Sequence, residues 1–427
     1  MEKYRSKKPI IRFPEFKDAW EQKQLREFLS ESKKRNENLE FGKDKVLSVS
    51  RDSGIVNQIE HLGRSYAGVS VHQYHVVDKG DIVYTKSPLK ESPYGIIRLN
   101  KGPAGIVSTL YAVYKPRKQT AYGPFLDYYF SLNANTNRYL RPLVKKGAKN
   151  DMKVNNEYVL NDKIFAPTLP EQKRIASFFT VLDKKIDELQ KKQSLLEQYK
   201  KGVVQKIFSQ KLKFKDEKGK AFPKWEKSCF GKAYSFKTTN SFSKDKLNYE
   251  GGRVKNIHYG DLHTRYKILF DVSSEVVPFI NRNVSLERIG EENYCRVGDL
   301  VIADASEDYS DIGKAIEIVK LREEKVLAGL HTILARPDKN KIFLGFGGYL
   351  MESENIRTQI RLIAQGTKVL GLSSKRLSEI EIQIPSRAEQ NKIVSLLKLI
   401  DNKIDYNLIQ INQTEQYRKG LLQKMFC

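Results

Sequence analysis

The side chains that could do chemistry in this sequence are basic and amide groups in short clusters. In the amino-terminal half stand Lys33, Lys34 and Arg35, then Arg51, Arg64, Tyr84, Lys86, Arg138 and Arg141, with Lys145, Lys146 and Lys149 around Gly147. The carboxy-terminal half offers Arg253, Lys255, Asn256, His258, Arg265, Arg282, Asn283, Ser306, and Thr367 with Lys368. Lys and Arg neutralise phosphates, while Arg on guanine and Asn or Gln on adenine read base edges, so the set suits duplex DNA. Any one of these positions could equally be a solvated surface charge. As a group they are supported by the balance of 76 Lys plus Arg against 51 Asp plus Glu, a net charge of +25 that calls for a polyanionic partner.

Signatures of catalysis do not appear. Gly231-Lys232 and Gly313-Lys314 are each followed by Ala and lack the earlier glycine of a phosphate loop. There is no GxGxxG opening a strand–helix unit and no Asp/Asn-Pro-Pro-aromatic tetrapeptide of an amino-methyltransferase. His72 and His75 lack a third ligand nearby in sequence and read as two ordinary surface imidazoles. Acid-rich triplets such as Asp216-Glu217-Lys218 and Glu323-Glu324-Lys325 are expected by chance when 30% of residues are charged. Cys229, Cys295 and Cys427 are too scattered for a disulfide framework or a CxxC zinc site, which fits a reduced cytoplasm. No apolar run approaches the ~18 residues of a membrane span, and the opening MEKYRSKKPIIRFPEF lacks a signal-peptide core. A binder with no catalysis, metal or cofactor of its own is expected.

The elements that must position these groups are written twice. Glu171 through Phe208 aligns without a gap on Glu389 through Phe426, with 16 of 38 pairs identical at an offset of 218 residues. The same offset joins Gly80-Asp81-Ile82-Val83 to Gly298-Asp299-Leu300-Val301 and Pro167 to Pro385, while Phe13-Pro14 with Trp20 echoes Phe222-Pro223 with Trp225. The chain of 427 residues is therefore a tandem duplication, too long for one ordinary core. Between the matching tails the copies differ, by drift or because they bind different things.

Both tails carry helix starts: Thr168-x-x-Glu171 and Ser386-x-x-Glu389 have the form of capping boxes, in which the Glu reaches back to the cap. Apolar residues then recur at alternating spacings of four and three. The first series contains Ile175, Phe179, Leu182, Ile186, Leu189, Leu196 and Val203; the second contains Ile393, Leu397, Ile400, Ile404, Ile411 and Leu421. That is a coiled-coil seam, and pairing the two helices antiparallel is the expected arrangement. Polar seam residues Gln193, Lys200, Asn407 and Arg418 would fix its register, and Gly202 and Gly420 mark either a close backbone approach or a local helix end. The predicted class is α+β, with two globular mixed α/β domains, an internal pseudo-twofold repeat and two long helices. The predicted boundaries are 1–168, 169–212, 213–385 and 386–427.

The Pro-x-x-x-Glu-Gln-x-x-Ile starts (Pro167 to Ile175, Pro385 to Ile393) and the Glu-Gln-Tyr-(Lys/Arg)-Lys-Gly finishes resemble the specificity (S) subunits of type I restriction–modification systems, over the whole chain. The resemblance implies two target recognition domains, each reading one half of a bipartite DNA sequence. It also implies a helix pair that sets the spacer and docks two methyltransferase (M) subunits, which would bind S-adenosylmethionine and methylate adenine. Restriction (R) subunits would add ATP- and Mg-dependent cleavage. A tandem RNA binder would need aromatic stacking platforms, which are not evident. A scaffold without nucleic acid would leave the charge idle, and a nuclease would need a metal-ligand cluster.

Overall fold

The computed structural model describes residues 6–51, 53–68, 70–86, 92–146 and 152–426, without the side chains of residues 6, 145, 146, 152 and 153. The described chain forms two compact units, one from residues 1–190 with 409–427 and one from residues 191–408.

In unit 1 an antiparallel sheet runs in the order Leu29–Glu31, Tyr111–Pro116, Ile82–Thr85, Ile96–Leu99. The central strand Ile82–Thr85 is buried on both faces, as its unbroken Ile-Val-Tyr-Thr run demands. A second sheet joins Ser6–Lys7, Trp20–Gln24 and Lys163–Ala166. Helices Gly123–Ser131 and Asn133–Leu140 complete the core.

Unit 2 repeats this plan with additions. Its five-stranded sheet has the order Tyr234–Lys237, Thr332–Pro337, Leu300–Ala303, Ala315–Lys320, Leu269–Asp271, and the last strand joins parallel. Leu300–Ala303 is again buried throughout. A glycine with positive φ enters each central strand, Gly80 at +95° and Gly298 at +100°. The next residue folds its carboxylate back onto the turn: Asp81 accepts from the Asp78 amide at 2.9 Å, and Asp299 accepts from the Arg296 amide at 2.8 Å. The duplicated Gly-Asp is therefore a strand-entry device, because only glycine takes that φ without strain.

The long helices are Leu169–Phe208 and Arg387–Met425, 40 and 39 residues. Every named seam residue is buried or half-buried, and the flanking positions are mostly exposed. In unit 1 Asp183 pairs with Arg418 and Gln190 bonds Glu415; in unit 2 Asn407 donates to Gln193 at 3.0 Å and Lys200 pairs with Asp401 at 2.5 Å. As one number rises the other falls, so within each unit the helices run antiparallel. The polar seam residues do hold register: Arg418 and Lys200 are equivalent in the repeat, and each meets the equivalent aspartate of the opposite helix. Gly202 and Gly420 meet neither expectation: both lie inside continuous helix, and an added Cβ would touch nothing within 4 Å. Nothing in the structure explains them.

Candidate nucleic-acid interface

The signature Glu-Gln pairs fasten a globular domain to its helix. Glu171 is buried and accepts from Trp20 Nε1 at 3.2 Å and from Arg12 Nε and Nη2, both at 2.7 Å. Glu389 is also buried and accepts from Trp225 Nε1 at 3.1 Å. The Ser386 hydroxyl accepts from the Glu389 amide at 3.3 Å, but neither carboxylate completes a capping box, since both are spent on the tryptophans. The glutamines match more closely. Gln172 accepts from the Tyr122 amide and donates to the carbonyls of Thr120 and Pro167; Gln390 accepts from the Phe343 amide and donates to those of Lys341 and Pro385. A second clasp repeats too, with Tyr128 donating to Asp183 and Tyr349 to Asp401, each at 2.6 Å. These hydrogen bonds orient each domain on its helices.

Above this foundation lie the basic candidates. In unit 1, Lys33, Lys34, Arg64, Arg138 and Arg141 are exposed, Arg64 stacked at 4.7 Å on the Tyr66 ring. Arg35 and Arg51 are half-buried, with Arg35 donating to the Gln73 carbonyl at 2.8 Å. Tyr84, a candidate reader from the sequence, is instead fully buried on the central strand, its hydroxyl donating to the Tyr94 carbonyl. Lys145 and Lys146 form a short strand paired with Met152–Lys153, and Lys149 lies outside the described residues.

In unit 2, Arg253, Arg265, Arg282, Asn283, Thr367 and Lys368 are exposed, Arg265 bonded to Asp261 and to the Tyr249 hydroxyl. Lys255 is half-buried, paired with Glu324 at 2.6 Å and lying over the Phe279 ring. Asn256, His258 and Ser306 are buried and serve the fold. Asn256 accepts from Asn240 at 2.7 Å, His258 Nδ1 accepts from the Gly260 amide at 3.1 Å as a helix cap, and Ser306 Oγ accepts from the Asp308 amide. His258 and Ser306 each bond a backbone amide two residues on and Asn256 bonds the Asn240 side chain, so these short polar groups are taken up inside the fold.

Two groupings emerge. In unit 1, burial, helped by the nearby cations of Arg35 and Lys86, holds the His75 imidazole down at about 4. His75 is thus buried and neutral, a correction to its reading as a surface imidazole. In unit 2, Tyr259 lies 4.7 Å from the His258 ring, 6.1 Å from His263 and 5.2 Å from His331, whose Nδ1 is 3.4 Å from Asp304. Burial, then Lys244, lowers the His258 imidazole below its usual range, and burial raises the Asp304 carboxyl. Tyr259 and His331 carry no signal in the sequence, whereas Asp304 follows the second Gly-Asp-Leu-Val strand at the 218-residue offset from Lys86. No cluster of three or more His, Cys, Asp or Glu able to hold a metal occurs among the described residues, and no described helix is long and apolar enough to cross a membrane.

Fold and site define a class: a duplicated binding protein, each copy an α+β domain latched to two long antiparallel helices and bearing basic side chains. Residues 17–198 and 223–416 each match the type I restriction modification DNA specificity domain, so the chain belongs to that family. Among relatives, the type I restriction enzyme MjaVIII specificity subunit of Methanocaldococcus jannaschii is 24% identical over 285 residues, 61% of this chain and 60% of that protein. The MjaX specificity subunit of the same organism is 25% identical over 295 residues, 65% of this chain and 62% of that one. The matches thus span about three-fifths of the length of these curated relatives. A chain from a structural study of type I R-M complex assembly and conformational transition superposes with a TM-score of 0.55 at 16% identity, covering 95% of this chain and 97% of that one. The S subunit from M. genitalium superposes at 0.53 with 15% identity, covering 98% and 99%. These likenesses establish the fold.

Proposed function

We propose that this chain is the DNA-specificity subunit of a type I restriction–modification complex in the cytoplasm, without catalysis of its own. Each unit would read one half of a bipartite duplex target, and the helix pair would set the spacing between halves. The observation that carries the reading is the repetition of the Glu-Gln and Tyr-Asp clasps under surfaces that differ: one platform presents two readers. The boundaries proposed for the readers are 1–168 and 213–385, with the helical segments 169–212 and 386–427 between and after them.

Two methyltransferase subunits are the proposed partners on the helices. The seam residues are taken up by the helix pairing and by the two domain cores, so docking falls to apolar residues outside the seam. Val181 and Tyr417 are exposed in unit 1, and their repeat equivalents Leu399 and Tyr199 are exposed in unit 2. Given the pairing of Asp183 with Arg418 and of Lys200 with Asp401, each exposed pair lies near one level of the two helices. The same patch occurring once per unit favours two copies of one partner. S-adenosylmethionine would then be bound by those subunits, and ATP and Mg by the restriction subunits.

A map of adenine methylation with the gene present and deleted tests the function. A two-part motif with a fixed gap, methylated only when the gene is present, is the expected result. Identical maps, together with failure of the purified chain to retain a methyltransferase, would remove it.

A further inference from the structure

At the end of each central strand the two units present charges of opposite sign. Ile82–Thr85 runs into Lys86 and Leu300–Ala303 into Asp304, equivalent positions at the 218-residue offset. Strand register gives the same equivalence, since Thr85 faces Tyr111 and Ala303 faces Thr332. Leu110 in unit 1 and His331 in unit 2 therefore occupy matching places on the adjoining turn. Every strand residue before these positions is buried in both units, so Lys86 and Asp304 are where each strand first leaves the core.

Both charges are half-buried. Burial pulls the Lys86 ammonium below its ordinary range against the field of Glu31, and with Arg35 nearby and His75 neutral the neighbourhood is a donor of positive charge. Asp304 has the reverse setting. His331 holds a left-handed backbone at φ +56°, a conformation that L-residues rarely adopt. That backbone places its ring edge-on to Tyr259 and within 3.4 Å of the carboxylate. The result is an acceptor fixed against an aromatic wall.

We propose that Lys86 and Asp304 are the paired base-reading residues of the two half-sites, Lys86 donating to the O6 and N7 acceptors of a guanine and Asp304, positioned by His331, accepting from the exocyclic amine of a cytosine. This rests on the duplex-reading function proposed above. The physical reason is that a partly desolvated charge gains little from the free protein but strongly rejects a base that leaves it unpaired. A matched base contact discriminates by about 1–3 kcal/mol, roughly 5- to 150-fold.

The test co-expresses the full chain with its methyltransferase in a methylation-free host and maps modified adenines genome-wide. Absence of any bipartite motif with the unaltered chain would sink the function itself, before this proposal is reached. With a motif in hand, Lys86→Met should relax one guanine position in one half, and Asp304→Asn one cytosine position in the other, each by roughly 5- to 150-fold. Strict retention of the untouched half shows that the variant is folded. His331→Gly, which suits the left-handed backbone, should relax the same position as Asp304→Asn. Unchanged motifs would overturn the proposal. So would a uniform fall in methylation with both halves still required, the mark of a phosphate contact. For a variant with no methylation, binding of the purified complex to duplexes altered in one half decides: discrimination equal to wild type counts against the proposal, and loss of it in one half supports it.

Discussion

In unit 1 the buried Glu171 is held by Trp20 and by both forks of Arg12, whereas in unit 2 the equivalent Glu389 has Trp225 and no guanidinium. The residue before the Phe-Pro motif is Arg12 in one copy and Ala221 in the other. Burial accordingly raises the Glu389 carboxyl, which the Trp225 bond only partly opposes. A second contrast concerns the carboxylate between sheet and helix. Unit 1 places it on the helix: Asp127 accepts from the Leu99 amide and is paired with Arg98 and Lys101. Unit 2 places it on the strand: Glu317 accepts from the amides of Gly345 and Gly348, and burial pushes it up to about 7. Leu99 and Glu317 face Ile82 and Leu300 in equivalent registers, so the acid has moved from one side of the same contact to the other. Duplication preserved the hydrogen-bond geometry and left each copy to solve charge compensation separately.

The comparison can be broken most severely at the tryptophans. Trp20 is fully buried among Phe125 and Phe426, so Trp20→Ala should cost unit 1 about 3–5 kcal/mol, while the half-buried Trp225 should cost its unit less when replaced. Denaturant titration of each variant gives both figures. Arg12→Ala would make unit 1 resemble unit 2, with a loss of about 3 kcal/mol from stranding Glu171; adding Glu171→Gln should recover part of it.

Glu317 makes unit 2 pH-sensitive with a definite sign. A carboxyl raised from 4.5 to about 7 on folding favours the folded state fully below pH 4.5, and that contribution fades as pH rises through 7. Unit 2 should lose about 3 kcal/mol between pH 4.5 and 8 from this group, and Glu317→Gln should flatten the slope in thermal melts. The smallest effect belongs to the cross-helix ion pairs. Lys200 and Asp401 are partly exposed, so Lys200→Met should cost about 1 kcal/mol or less, and Lys200→Arg, which copies Arg418, should be near neutral in the same melts.

Sequence alone determined the duplication, the two long helices, their antiparallel seam and the family, because heptad spacing and a fixed offset are properties of neighbouring residues. Ile175, Phe179, Ile393 and Leu397 are buried where their period placed them. Only the tertiary structure decided what the polar residues do. Glu171 finds Trp20 at a separation of 151 residues, and Glu389 finds Trp225 at 164, contacts that no local pattern encodes. The same holds for the interface: Tyr84, Asn256, His258 and Ser306 have the chemistry of readers but are spent inside the fold. Lys86 was legible as a candidate cation and Asp304 as its repeat equivalent, but only strand pairing shows that both stand at the edge of the core, at the turns that carry Leu110 and His331. Hydrophobic periodicity survives in one dimension, whereas the satisfaction of buried polar groups depends on partners the chain brings together only when folded.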